Sequence, residues 1–163
     1  MKRVKSLKNL FVILFVGAFT LSSYAQRMQQ YTWDDYKTKF SVPTTFVVNS
    51  STGEMWSGGN DDINLTIFPR KGENLSQQGM DEALINWANG EGVTGLGNVT
   101  DIDSQKLNGY WGVFIEGNKG EFPVCLMLII DPDYPDTSMY IWVSYRAGME
   151  DTVLKILYSF TPA

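Results

Sequence analysis

Apolar residues recur along this chain with two different periods, and the change from one to the other separates its elements. Between Ser76 and Asn89 the period is helical: Met80, Ala83, Leu84, Trp87 and Ala88 fall at i, i+3, i+4, i+7 and i+8 on one stripe. Ser76 is the expected N-cap, and Asp81 and Glu82 lie in the half of the helix where its dipole favours acids. Asn89-Gly90 is expected to supply the left-handed residue that stops it. A second stripe, Val153, Ile156, Leu157 and Phe160, predicts a closing helix over about Glu150 to Tyr158.

Elsewhere the period is two, or the run is apolar throughout. KTKFSVPTTFVVNSS reads as two short strands or one bent strand, with Pro43 at the edge or bend. A strand near Met55, a Gly-Gly-Asn-Asp turn and a strand from Ile63 to Phe68 make a hairpin in which Ile63, Leu65 and Ile67 share a face. After the first helix come VTDIDSQKL, YWGVFIEG, FPVCLMLIID and SMYIWVSYRA. Asn108-Gly109, Asn118-Lys119-Gly120 and DPDYPDT separate them, which predicts an antiparallel meander. Strands, helix, meander and closing helix give an α+β class, with an antiparallel sheet of about six or seven strands flanked by two main helices.

The layout, the KFSVPTTF opening, the mid-chain amphipathic helix and a closing helix running into LYSFTP resemble the PsbP-like superfamily, which includes DcrB-like exported proteins. The resemblance spans about residues 36–162. It implies a sheet layered with helices and a binding or accessory role, and it brings no catalytic residues with it.

The ends of the chain add an address. Lys2, Arg3, Lys5 and Lys8 precede a twelve-residue uncharged run, Leu10 to Leu21, and Ser23 and Ala25 are small residues suited to cleavage before Gln26. Twelve residues make about 18 Å of helix, short of the roughly 30 Å hydrocarbon core, so a removable export signal over 1–25 is expected rather than a membrane span. One domain is expected over 26–163, in the periplasm or outside the cell. Without the leader, nine basic residues face eighteen acidic ones, a net charge of −9. That charge repels nucleic acid and anionic membrane and leaves a protein or envelope component as the expected partner.

Chemistry is narrowed chiefly by what the chain lacks. It has no histidine, which removes Ser-His and Cys-His activation and the commonest transition-metal ligand. Its one cysteine, Cys125, sits in an apolar run and reads as a buried small hydrophobe. Gly90, Gly92 and Gly95 copy the spacing of a dinucleotide-binding loop, yet they follow a helix and lead to a strand. A phosphate there would meet the negative end of the helix dipole. No cofactor is expected, and the stretch reads as a helix stop with a flexible connection.

Three further groups are candidates. Asp131, Asp133 and Asp136 could attract a hard cation, although they match a calcium loop only at its first and third positions. Asp101 and Asp103 share a strand face, as a glycosidase's two carboxylates could, or as charges that blunt an edge strand. Trp56, Tyr140 and Trp142 are candidate ligand or partner surface, with Trp56, beside Ser57-Gly58-Gly59, the best candidate for exposure. The leading expectation is an exported non-catalytic binding module; the alternatives are a carboxylate-dependent hydrolase or a calcium-assisted adhesion module. N-terminal sequencing of the exported protein should begin at Gln26, and a chain still carrying Met1 would contradict the leader assignment.

Overall fold

The computed structural model describes residues 26–163, so the leader expected over 1–25 lies outside the described residues. In chain order the elements are β1 (Met28–Trp33), β2 (Thr38–Pro43), β3 (Val47–Ser51), β4 (Trp56–Gly59), β5 (Ile63–Lys71), α1 (Met80–Gly90), β6 (Thr100–Ile102), β7 (Trp111–Lys119), β8 (Phe122–Ile130), β9 (Thr137–Tyr145), α2 (Glu150–Leu157) and β10 (Thr161–Pro162). The expected α+β arrangement is observed. Seven strands pair antiparallel in the order β3-β4-β5-β9-β8-β7-β6, and β1, β2 and β10 form a separate three-stranded sheet.

The layers follow from β8, in which every residue from Val124 to Ile130 is buried. A strand that is apolar on both faces must be covered twice. On one side Cys125, Met127 and Ile129 join Met139, Ile141 and Val143 of β9 in a core closed by Phe40 and Val42 of β2 and by Val153, Ile156 and Leu157 of α2. On the other side Val124, Leu126, Leu128 and Ile130 pack under Met80, Leu84, Trp87 and Ala88, the stripe predicted for α1.

Several details differ from expectation. The polar stretch that begins at Gln26 leads into β1, which pairs in full with β2. The KTKFSVPTTFVVNSS segment forms two short strands, β2 and β3, as one of its two readings expects, but they belong to different sheets. Gly58 and Gly59 lie inside β4, and the turn begins at Asn60, whose side chain accepts the Asp62 and Ile63 N–H groups. Ser76 makes no side-chain cap; a short 3₁₀ turn, Gln77–Gly79, leads into α1 instead.

The glycine stretch is built differently from its prediction. Gly90 is the last residue of α1, and the left-handed residue is Gly92, with φ of 70°. The Gly92 N–H donates to the Asn89 carbonyl and the Val93 N–H to that of Ala88, a Schellman ending that sets in later than expected. Nor is the connection loose. Thr94 and Asn118 exchange backbone hydrogen bonds at 2.9 and 2.8 Å, and the Gly97 N–H donates to Glu116 O at 2.9 Å.

These positions separate in a mutational test. Gly90→Ala has nothing within 4 Å of the added carbon and sits in a helix, so it should stabilise by about 0.5–1 kcal/mol. Gly92→Ala should destabilise, because alanine disfavours that left-handed backbone. Urea denaturation of the two variants checks both signs.

Candidate functional site

Helix α1 is too short to roof the large sheet. Its eleven residues run about 16 Å, against roughly 30 Å across seven strands. It lies over β7 and β8, and a cleft of about 580 Å³ opens where its flank faces β5 and β9. Ala83, Asn86, Trp87, Gly90 and Glu91 line one wall, and Arg70, Glu73, Leu75 and Tyr140 the other.

Sheet register brings the second wall together. Arg70 ends the outward-facing series of β5 and pairs with Ser138, so its side chain reaches Tyr140 on the neighbouring strand. The Arg70 guanidinium carbon stands 4.1 Å from the Tyr140 ring centroid, and Arg70 Nη1 lies 3.5 Å from Glu73 Oε1. The Tyr140 hydroxyl donates to Glu73 Oε2 at 3.0 Å. One carboxylate thus joins the guanidinium and the phenol.

Aromatic rings support this arrangement from below. Trp87 meets Tyr140, Trp142 and Phe68 edge to face, with centroids 5.0, 6.0 and 6.3 Å apart. Such pairs prefer this geometry because a ring edge is positive and its face negative. Trp87 is only 7 % exposed, so the cleft floor is largely fixed.

Burial raises the Tyr140 hydroxyl to about 12; the negative charge of Glu73 and the hydrogen bond donated to it raise it too, while Arg70 opposes them. The same direction holds at Cys125, whose thiol is pushed up by burial and then by Glu116. That agrees with its reading as a buried, inert side chain.

No protein-family model and no curated sequence matches the chain. Solved structures do. The Ran-binding protein Mog1p of Saccharomyces cerevisiae aligns with a TM-score of 0.57 at 9 % identity, over 85 % of this chain and 96 % of its own. The cyanobacterial PsbP protein CyanoP from Synechocystis aligns with a TM-score of 0.56 at 13 % identity, over 87 % and 96 %. A mutant form of the protein Mog1 gives 0.56 at 9 % identity, over 83 % and 96 %. The fold is PsbP-like. At these identities the likeness concerns the PsbP-like architecture alone.

On this PsbP-like framework the residues singled out from sequence scatter. Trp56, expected to be exposed, is completely buried against Tyr31 and Phe40, so that expectation is corrected. Its indole lies across Gly58, where an added Cβ would sit 2.9 Å from Cη2. Tyr140 and Trp142 do come together around Trp87, Tyr140 buried and Trp142 half-buried.

Asp131, Asp133 and Asp136 serve their own turn. Asp131 Oδ1 accepts the Asp133 N–H at 3.0 Å, and Asp136 Oδ1 accepts the Thr137 hydroxyl at 3.3 Å. Among the described residues no group of three or more acidic or cysteine side chains is arranged to hold a metal ion. Asp101 and Asp103 are exposed on and just beyond β6, an edge strand, and with Asp81 they line a second open cleft of about 710 Å³.

Arg70, Glu73 and Asn86 were not read from the sequence. The i, i+3 spacing of Arg70 and Glu73 was the available signal, but only the fold places Tyr140 between them. Tyr140 and Tyr145 both stand near 12 in the folded chain against an ordinary value of 10. Between pH 10 and 12 the unfolded chain therefore releases their protons first, so stability should be intact below pH 10 and fall as pH rises through 12. In Glu73→Gln the Tyr140 titration should move down yet stay above 10, since burial remains. Ultraviolet phenolate titration of the variant measures that shift.

Proposed function

We propose that this chain is an exported, non-catalytic binding module whose contact with a partner protein or envelope component centres on the cleft between α1 and β5/β9. The observation that carries this reading is the Arg70–Glu73–Tyr140 arrangement, in which each polar group already has a partner. Such a site presents a charge pattern beside aromatic rings, and recognition is what that pattern can perform.

Protonation argues in the same direction. The phenols of Tyr36, Tyr110, Tyr140 and Tyr145 and the Cys125 thiol are raised, and the Glu150 carboxyl is lowered. Each shift moves its group away from neutrality, whereas proton transfer at neutral pH needs a group moved towards it. Mog1p, which shares the fold, is described as a Ran-binding protein, and this supports a protein-binding role without naming the partner here. Export is supported by the leader and by the acidic balance of residues 26–163.

Affinity capture from an envelope fraction tests the proposal. The wild-type protein should retain a defined partner, and Asn86→Arg should weaken that retention at least tenfold while leaving the melting temperature unchanged. Asp101→Asn and Asp103→Asn should bind as wild type. An activity lost in either aspartate variant, with capture unaffected by Asn86→Arg, would favour the hydrolase reading instead.

A further inference from the structure

Beyond the cleft, the face of the large sheet that α1 leaves uncovered continues across β9, β5, β4 and β3. Strand register defines it. Asn64 pairs with Ser144 and Gly59, Thr66 with Trp142 and Ser57, and residues directly opposite on paired strands point to the same side. The Phe68 and Trp142 contacts with Trp87 show that this is the α1 side. Val47 on β3 extends it through its pairing with Gly59 and is 67 % exposed.

Chemically this face is unlike the rest of the chain. Residues 26–163 contain twenty-seven charged side chains. Yet the strand positions of the face from Val47 through Ser57, Asn64, Thr66 and Phe68 to Ser144 hold none. Two ion pairs stand at its opposite ends, Arg70 with Glu73 and Arg146 with Asp62, each at 3.5 Å. What lies between is a field of hydroxyl and amide groups, about 20 Å along the strands, with the rings of Phe68 and Trp142 beside it. Phe68 is 37 % exposed. The Asn64 side chain occupies the space over Gly59, its Oδ1 2.6 Å from where a Cβ on Gly59 would stand.

We infer that this uncharged face binds a neutral carbohydrate chain. An anionic ligand would be repelled by the acidic chain. A cationic one would find carboxylates only at the two ends, Glu73 and Asp62, each already paired with an arginine. A wholly apolar partner would bury the hydroxyl and amide groups without hydrogen bonds, at a cost for each. A neutral sugar chain offers what remains: hydroxyls to pair with Ser57, Asn64, Thr66 and Ser144, and C–H faces to lie against the rings. The face adjoins the cleft but shares none of its lining residues, so a variant on the face and Asn86→Arg in the cleft test the two assignments apart.

The test is a backbone-amide NMR titration of the labelled protein with cellohexaose, chitohexaose, laminarihexaose and mannohexaose at millimolar concentration, in low and high salt. At least one of the four should shift amides of β4, β5 and β9, with little dependence on salt. Phe68→Ala should weaken that binding several-fold, and Thr66→Glu at least tenfold with an unchanged melting temperature. The inference is overturned if none of the four sugars moves these amides, if the shifts map elsewhere, or if Thr66→Glu binds normally. It is also overturned if the same amides shift with protein concentration alone, which would make the occupant a second copy of the chain.

Discussion

The structure depends on one strand that cannot face water on either side. From Val124 to Ile130 β8 is buried throughout, and its two neighbours, β7 and β9, share that burial over much of their length. Burying a large aliphatic side chain is worth about 1.5–3 kcal/mol, so exposing either face of β8 would forfeit several such contributions at once. The three-stranded sheet with α2 must therefore cover one face, and α1 the other. The antiparallel register of β7, β8 and β9 is fixed by the same requirement, because a one-residue slip would exchange the residues beneath α1 with those beneath β2 and α2.

Cover is more extensive on one face than on the other, and that asymmetry creates the cleft and the open sheet face. On the side of the small sheet and α2, Phe40 of β2 packs against both Phe160 and Trp56 of β4. On the α1 side the helix settles over β7 and β8, where the apolar residues are continuous, and the sheet turns polar beyond β9. The change is visible within β5: Ile63, Leu65 and Ile67 are buried, whereas Asn64 and Phe68 are exposed. A cleft at the flank of α1 and an open sheet face beyond it both follow from where the apolar pattern stops.

How far this was legible in the sequence depended on whether the signal was local. The α1 stripe, the α2 stripe and the alternation of β5 are local patterns, and the structure uses them as read. Strand β1 is polar and β10 is two residues long, so both exist because β2 pairs with them, information that periodicity does not carry. Trp56 was misplaced because Ser-Gly-Gly reads as a turn. Here Gly58, two residues on and on the same face, makes room for the indole, and the Trp-x-Gly spacing was the clue to burial. At the cleft, Trp87 was legible as part of a helix stripe, but Arg70, Glu73 and Tyr140 are joined by strand register and a following loop.

The glycine stretch shows how a motif can match in spacing and differ in physics. With Gly92 in the left-handed region the chain reverses and lays residues 93–97 alongside the end of β7, where Val93 Cγ1 would stand 2.5 Å from a Cβ on Gly117. The close approach therefore depends on glycine at two places: Gly92 turns the chain and Gly117 admits it. The Lys119 ammonium then donates to the Glu91 carbonyl, at the C-terminal end of α1 where a cation complements the helix dipole. Gly90 and Glu91 belong to the cleft wall. Anchoring this turn to β7 thus sets how far the wall stands from Tyr140, so the glycines that resemble a phosphate cradle hold the width of a different site.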